Sequence, residues 1–217
     1  MSSRGVRRPA TPGVWAGRNV STPRPRRVAL YSPDSFGLGH LRRTLLVAEE
    51  LRTRPEVGDM LIVTGSPVAQ RFSLPARTDI VTLPAITKDA AGTYTSRSLK
   101  LPLEQMLRLR GSITGEALSA FGADLLLVDH APTGLGGELR PVLARFHAML
   151  DRPHLVLGMR EIIDDVASVR AEWERLGGFD AVEHWYDRVL VYGDPAVRTT
   201  AQELDLERLA PGAVSHV

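Results

Sequence analysis

The sequence has no cysteine, only 6% aromatic residues and no long hydrophobic run. Without cysteine, the chain can form neither a disulfide framework nor a thiolate metal site, and it has no thiol nucleophile. Its apolar runs, such as residues 125–128, fall far short of the roughly 18 to 20 residues that span a bilayer. We therefore expect a soluble globular protein, and the absence of cysteine agrees with a cytoplasmic location.

Lysine is also scarce, because 25 of the 27 basic residues are arginine. Residues 1–27 contain seven arginines, four prolines and no acidic residue, which predicts a disordered Arg/Pro-rich tail. This tail is typical of a transit peptide, an anion-binding arm or an extension from an upstream start codon, and the arginine skew favours the extension. Residues 28–217 carry 20 basic and 25 acidic residues, which argues against nucleic-acid binding.

From residue 28 onward, short apolar runs alternate with segments of helical periodicity, a pattern typical of βαβ units. The predicted strands cover residues 28–31, 60–63, 80–83, 125–128, 154–157, 189–192 and 214–217. We predict one α/β domain over residues 28–217, with a Rossmann-like parallel sheet and helices on both faces. The polar stretch at residues 87–97 is long for a connection, which predicts a functional or a disordered loop.

The first strand leads through a glycine-containing loop into a helix that begins near His40 and ends before Pro55. Gly37 and Gly39 let a ligand approach the backbone, and a helix N-terminus attracts anions. The loop has Arg42 where a dinucleotide fingerprint needs glycine, and it lacks the Gly-Lys-Ser/Thr of a P-loop. We interpret it as an anion site, with close packing of helix on strand as the alternative.

His40 lies at the mouth of the expected cleft, where a neutral imidazole can take a proton from a hydroxyl nucleophile. We therefore consider His40 a candidate general base, with a helix cap or packing residue as the alternative. Arg42 and Arg43 follow in the first helical turn, and at least one of them is a candidate to face a phosphate or a carboxylate. The alternative is a pair of solvated arginines.

A second cluster of candidate binding residues follows the strand at residues 125–128. It comprises Asp129, His130, Thr133, Gly136 and Gly137. Both loops should face one cleft because parallel strands end at one edge of the sheet, where Arg160 ends the next strand. Asp129 and His130 are not expected to form a dyad, since adjacent residues of an extended chain point to opposite sides, and Asp129 is alternatively structural. No HxH or HExxH spacing occurs, which argues against a metal site.

Residues 35–43, Ser-Phe-Gly-Leu-Gly-His-Leu-Arg-Arg, resemble the opening of the acceptor domain in GT-B glycosyltransferases of the MurG-like family 28. That group begins with a strand, a glycine-rich loop ending in Gly-His, and a helix. Residues 133–139 are similar to the group's second glycine loop, with Leu135 in place of a proline. The order of elements over residues 27–217 resembles the first half of such an enzyme.

The resemblance implies a hexosyltransferase that moves a sugar from a nucleotide-diphosphate donor, such as a UDP-sugar, to an acceptor hydroxyl. The acceptor is a glycan, a lipid or a small molecule, and the enzyme is compatible with peripheral membrane contact. In this interpretation His40 is the general base, and the two glycine loops hold phosphate or sugar oxygens. No metal ion or cofactor is expected, and the reaction should invert configuration, with retention left open.

The donor-binding domain of such enzymes has no counterpart in the sequence, and residues 214–217 are expected to begin the crossing to it. We therefore expect a truncated reading frame or one half of a split enzyme whose donor domain is a separate chain. Two alternatives remain open. One is half of a sugar-nucleotide epimerase, which shares the two-domain architecture, and the other is a non-catalytic ligand-binding or regulatory module.

Overall fold

The computed structural model describes residues 24–33, 38–88, 94–160, 165–197 and 200–217. The strands in these ranges are β1 (Arg26–Ser32), β2 (Val57–Thr64), β3 (Thr78–Thr82), β4 (Ile86–Lys88), β5 (Tyr94–Ser96), β6 (Leu125–Asp129), β7 (His154–Arg160), β8 (Arg188–Tyr192) and β9 (Val214–His216). The helices are α1 (Gly39–Arg52), α2 (Leu103–Phe121), α3 (Arg140–His147), α4 (Val166–Leu176), α5 (Gly178–His184), α6 (Thr200–Glu203) and α7 (Leu206–Leu209). None of these helices is long and apolar enough to cross a membrane.

Seven strands form one parallel sheet in the order β3-β2-β1-β6-β7-β8-β9. The chain moves outward from β1 to β3, returns to place β6 beside β1, and then moves outward in the other direction. The connections that follow β1 and β6 therefore diverge, and a crevice opens at the carboxyl ends of these two strands. This topology confirms the predicted α/β, Rossmann-like fold.

The two faces of the sheet pack against different helices because strand side chains alternate in direction. On one face, Val28 and Leu30 of β1 belong to a buried cluster with Leu41 of α1. On the other face, Ala29 and Tyr31 of β1 belong to a larger cluster that includes residues of α2, α3, α4, α5 and α7. Helices thus flank both faces, as predicted.

The polar stretch at residues 87–97 contains most of an antiparallel hairpin made of β4 and β5. Its register pairs Ile86 with Ser96, Thr87 with Thr95 and Lys88 with Tyr94. Ile86 is only 1% exposed, so the hairpin is anchored in the core at its base. Residues 89–93, between the two strands in sequence, lie outside the described residues, as do residues 1–23 of the predicted tail.

The predicted last strand belongs to the main sheet. β9 pairs in parallel with β8, with Val189 opposite Val214 and Val191 opposite His216. Its flanking backbone continues the pairing, because the Val217 N–H donates to the Val191 carbonyl at 3.0 Å. The predicted strand at residues 214–217 is therefore present as the outermost strand of the sheet, and the expectation that it begins a crossing to a further domain stays a prediction.

A fully buried ion pair connects α2 to the loop after β6. Nε and Nη2 of Arg110 each lie 3.1 Å from Glu138 Oε1, and Nη1 donates to the Pro84 carbonyl at 2.8 Å. Tyr31 of β1 donates to the same Glu138 oxygen at 2.8 Å. Burial, and then the Glu138 carboxylate, raise the pKa of Tyr31, so its hydroxyl stays protonated as a donor. These bonds fix β1, α2 and two loops relative to one another.

We predict that Arg110→Met lowers the free energy of unfolding by about 3 to 5 kcal/mol, because it leaves the Glu138 carboxylate buried without its cation. Urea unfolding at pH 7 measures this change. Arg108→Met on the same helix is the matched control, since Arg108 pairs with Glu104 at an exposed site and such pairs contribute at most about 1 kcal/mol. Equal losses of unfolding free energy in the two variants would contradict the assignment of Arg110 and Glu138 as a buried ion pair that stabilises the fold.

Candidate functional site

Asp129, the last residue of β6, lies at the crevice between the diverging connections and is 5% exposed. Its Oδ2 atom is 2.7 Å from Nδ1 of His40 and 2.8 Å from Nη2 of Arg43. Its Oδ1 atom accepts from Nε of Arg43 at 2.7 Å. The carboxylate therefore joins the first turn of α1 to the end of β6 through a bidentate arginine contact and an imidazole contact.

Helical spacing explains which side chains of α1 reach Asp129. α1 begins at Gly39, so His40 and Arg43 lie three residues apart on one face of its first turn. Arg42 lies between them in sequence and is exposed. One of the two candidate arginines thus faces a carboxylate, but that carboxylate is the protein's own. Gly39 is exposed, and Gly37 lies outside the described residues.

The contacts of His40 Nδ1 bear on its tautomer. Nη2 of Arg43 lies 2.8 Å from Nδ1, and a donation from this guanidinium requires an unprotonated Nδ1. The 2.7 Å contact with ionised Asp129 instead requires a proton on Nδ1. Because Arg43 already donates through Nε and Nη2 to the two carboxylate oxygens, we infer that the proton lies on Nδ1, which leaves Nε2 as the ring nitrogen that can accept a proton.

The ionisation of Asp129 supports that assignment. Burial by itself raises the pKa of Asp129, but the hydrogen bonds from His40 and Arg43 and their charges outweigh it. The result is a pKa below the usual value of 3.8, so the carboxylate is ionised at neutral pH. An ionised carboxylate that accepts from Nδ1 fixes the ring orientation of a histidine base.

His130 follows Asp129 with a backbone φ of +63°, and its N–H donates to the Gly158 carbonyl at 2.7 Å. The left-handed turn brings its ring beside that of His40, with 5.2 Å between the ring centroids. Burial, and then the charge of His40, lower the pKa of His130 to about 4. The His130 ring is therefore neutral at neutral pH, and Asp129 pairs with His40 instead of its own sequence neighbour.

A cavity of about 290 Å³ opens beside the two histidines. It is bounded by the ends of β1 and β6, by the β4–β5 hairpin and by α4. Its lining includes His40, His130, Thr133, Lys88, Tyr94, Glu172 and Trp173. The structure therefore brings three of the sequence-predicted site residues, His40, His130 and Thr133, to one cavity, with Asp129 directly behind His40.

The second glycine loop, residues 133–139, makes contacts within the protein that differ from those expected. The Gly136 N–H donates to Glu138 Oε2 at 2.8 Å, so it is not available to a phosphate. Gly134 has a φ of +84°, and a Cβ there would lie 2.7 Å from the same oxygen. Gly136 and Gly137 line a separate groove between α2 and α3. The loop at residues 134–137 is thus built around the Glu138 carboxylate.

Four lining residues were not anticipated from the sequence. Lys88 and Tyr94 belong to the hairpin, and Glu172 and Trp173 belong to α4. The long polar stretch at residues 87–97 indicated a functional loop but named no residue in it. α4 follows the amphipathic pattern of an ordinary surface helix, and only the tertiary fold brings its face to the cavity. Arg160 ends β7 at the same edge of the sheet, half-buried, and does not line the cavity.

No protein-family model matches the sequence, and a comparison with curated proteins finds no match. Within the part of the chain that the structure describes, no group of three or more histidine, aspartate or glutamate side chains is placed to hold a metal ion. The chemistry that the site does offer comes from an oriented imidazole, a buried carboxylate and a guanidinium. This set can move a proton and can bind a polar or anionic ligand.

We predict that His130 makes the protein less stable as the pH falls from about 6.5 to about 4. In this window the unfolded histidine takes up a proton and the native one does not, so the unfolded state binds more protons. The loss reaches about 3 kcal/mol at its limit. Asp129 and Asp187, whose pKa values are lowered, affect stability only below about pH 4.

Urea unfolding at pH 7 and pH 4.5 measures this loss. His130→Asn should remove most of it, because asparagine tolerates the positive φ and does not titrate. His184→Asn, at an exposed histidine of α5, serves as the control and should retain the wild-type pH dependence. The same loss in His130→Asn as in the wild type would mean that another group titrates in this range.

Proposed function

We propose that this chain is the acceptor-side part of a glycosyltransferase that uses a nucleotide-diphosphate sugar. The observation that carries the proposal is the 2.7 Å contact between His40 Nδ1 and Asp129 Oδ2 at the sheet crevice. A base oriented in this way suits the deprotonation of an acceptor hydroxyl. The resemblance of residues 35–43 to the MurG-like loop supports the same activity.

In the proposed reaction, the acceptor hydroxyl lies in the cavity within reach of His40 Nε2. As its oxygen attacks the anomeric carbon of the donor, the proton moves to Nε2 and the bond to the nucleotide diphosphate breaks. The products are the glycosylated acceptor and the free nucleotide diphosphate, with inversion at the anomeric carbon. Asp129 stabilises the imidazolium that forms, and Arg43 keeps the carboxylate ionised and in position.

The donor nucleotide is held by a second domain or a second chain in this proposal. The cavity of about 290 Å³ has the size of a site for a small group and leaves no room for base, ribose and diphosphate together. The Gly136 N–H, which was expected to hold phosphate oxygens, donates to Glu138 instead. The described residues therefore offer an acceptor site, and the donor approaches from the open side of the crevice.

We predict that His40→Asn and His40→Ala each lower turnover by at least about a hundredfold, since a general base contributes about 10²- to 10⁴-fold. Asparagine can still donate to Asp129 but cannot take up a proton at neutral pH. The measurement is nucleotide-diphosphate release from UDP-, GDP- and dTDP-sugars by this chain together with the product of the reading frame immediately downstream. His184→Asn is the control and should keep wild-type turnover.

Two results would contradict the proposal. Near-normal turnover of His40→Asn would remove His40 as the base. No release from any donor by the wild-type pair would instead favour a non-catalytic binding module. Product analysis separates a third activity, because a sugar-nucleotide epimerase would change the sugar without transferring it to an acceptor.

A further inference from the structure

Part of the cavity lining comes from two segments that are far apart in sequence. The hairpin supplies Lys88 and Tyr94, with the Lys88 ammonium 5.0 Å from the centroid of the Tyr94 ring. α4 supplies Glu172 and Trp173, and Trp173 is only 5% exposed. Aromatic surface, an ammonium and a carboxylate thus line the same small cavity as the proposed base.

The Glu172 carboxylate lies close enough to Tyr94 to affect its ionisation. Burial raises the pKa of Tyr94, and the negative charge of Glu172 raises it further. Arg175 approaches Glu172 only to 3.9 Å, beyond hydrogen-bond distance, and the Glu172 side chain is 45% exposed. The carboxylate therefore keeps acceptor capacity next to an aromatic ring.

This combination of groups matches the surface of a sugar ring. The C–H groups on one face of a pyranose carry partial positive charge and pack on the negative face of an aromatic ring. Neighbouring hydroxyls donate to a carboxylate and accept from an ammonium. The cavity volume of about 290 Å³ lies just below the roughly 300 to 1,000 Å³ of small-molecule sites, which suits one sugar unit.

We propose that this cavity binds a single sugar unit of the acceptor, and that Lys88, Tyr94 and Glu172 select it. Tyr94 stacks on the ring, Glu172 accepts from two of its hydroxyls, and Lys88 donates to another oxygen. The role of this sugar as an acceptor rests on the proposed function, whereas its binding does not. The hydroxyl that reaches His40 then belongs to a carbohydrate and not to a lipid phosphate.

Saturation-transfer difference NMR on the whole chain, without any donor, tests this inference. The probes are the methyl β-glycosides of glucose, galactose, mannose and N-acetylglucosamine, together with glycerol phosphate and geranyl phosphate. We expect transfer to the ring protons of at least one glycoside. Glu172→Gln and Lys88→Gln should each weaken its binding by at least about tenfold, because each removes a hydrogen bond to a charged group.

Two exposed positions outside the cavity lining provide controls of matched chemistry. Glu174→Gln changes an exposed carboxylate of α4, and Lys100→Gln changes the other lysine of the chain; neither residue lines the cavity. Both should bind the glycoside like the wild type. Tyr94→Ala should abolish transfer to the ring protons, and circular dichroism confirms that each variant is folded.

Three outcomes would overturn the inference. They are the absence of saturation transfer to every glycoside, binding of the phosphates in place of the glycosides, and binding of the glycoside by Glu172→Gln as tightly as by the wild type. Because no donor is present, these outcomes are independent of turnover. If glycosyltransferase activity depends on His40 but no glycoside binds, only this inference is refuted. If a glycoside binds but no glycosyltransferase activity is found, only the proposed function is refuted.

Discussion

The buried carboxylate of Asp129 is the interaction on which the site depends. It ends β6 at the point where the sheet's connections diverge, and it holds the first turn of α1 through His40 and Arg43. A carboxylate at this depth is stable only when it is paired, so the contacts that orient His40 are the same ones that let Asp129 remain ionised. The same contacts therefore orient the proposed base and stabilise this part of the fold.

A second buried carboxylate, Glu138, shapes the surroundings of that site. Through Arg110 it ties α2 to the loop after β6, and Arg110 also holds the Pro84 carbonyl at the start of the segment that leads into the hairpin. The ion pair thus connects the loop after β6 with the segment before the hairpin, two parts of the chain that are distant in sequence and that each lead into the cavity lining.

Much of the fold and part of the site follow from the sequence. Apolar runs locate the strands, and the rule that parallel strands end at one edge predicts that His40 lies near residues 129–133. The sequence alone does not distinguish Arg42 from Arg43, because that depends on the residue at which α1 begins. The roles of Glu138, Lys88 and Glu172 depend on tertiary contacts: each is a charged residue whose pattern is typical of solvent exposure, and only packing brings them inside or beside the cavity.

The most direct test of the account is the tautomer of His40. Long-range ¹H–¹⁵N correlation spectra of the ¹⁵N-labelled protein, recorded at a pH at which the imidazole is neutral, report which ring nitrogen carries the proton. We expect a protonated Nδ1 and an unprotonated Nε2 in the wild type, and a loss of this preference in Asp129→Asn. A proton on Nε2 in the wild type, or an unchanged tautomer in Asp129→Asn, would contradict the claim that Asp129 orients His40 as a base.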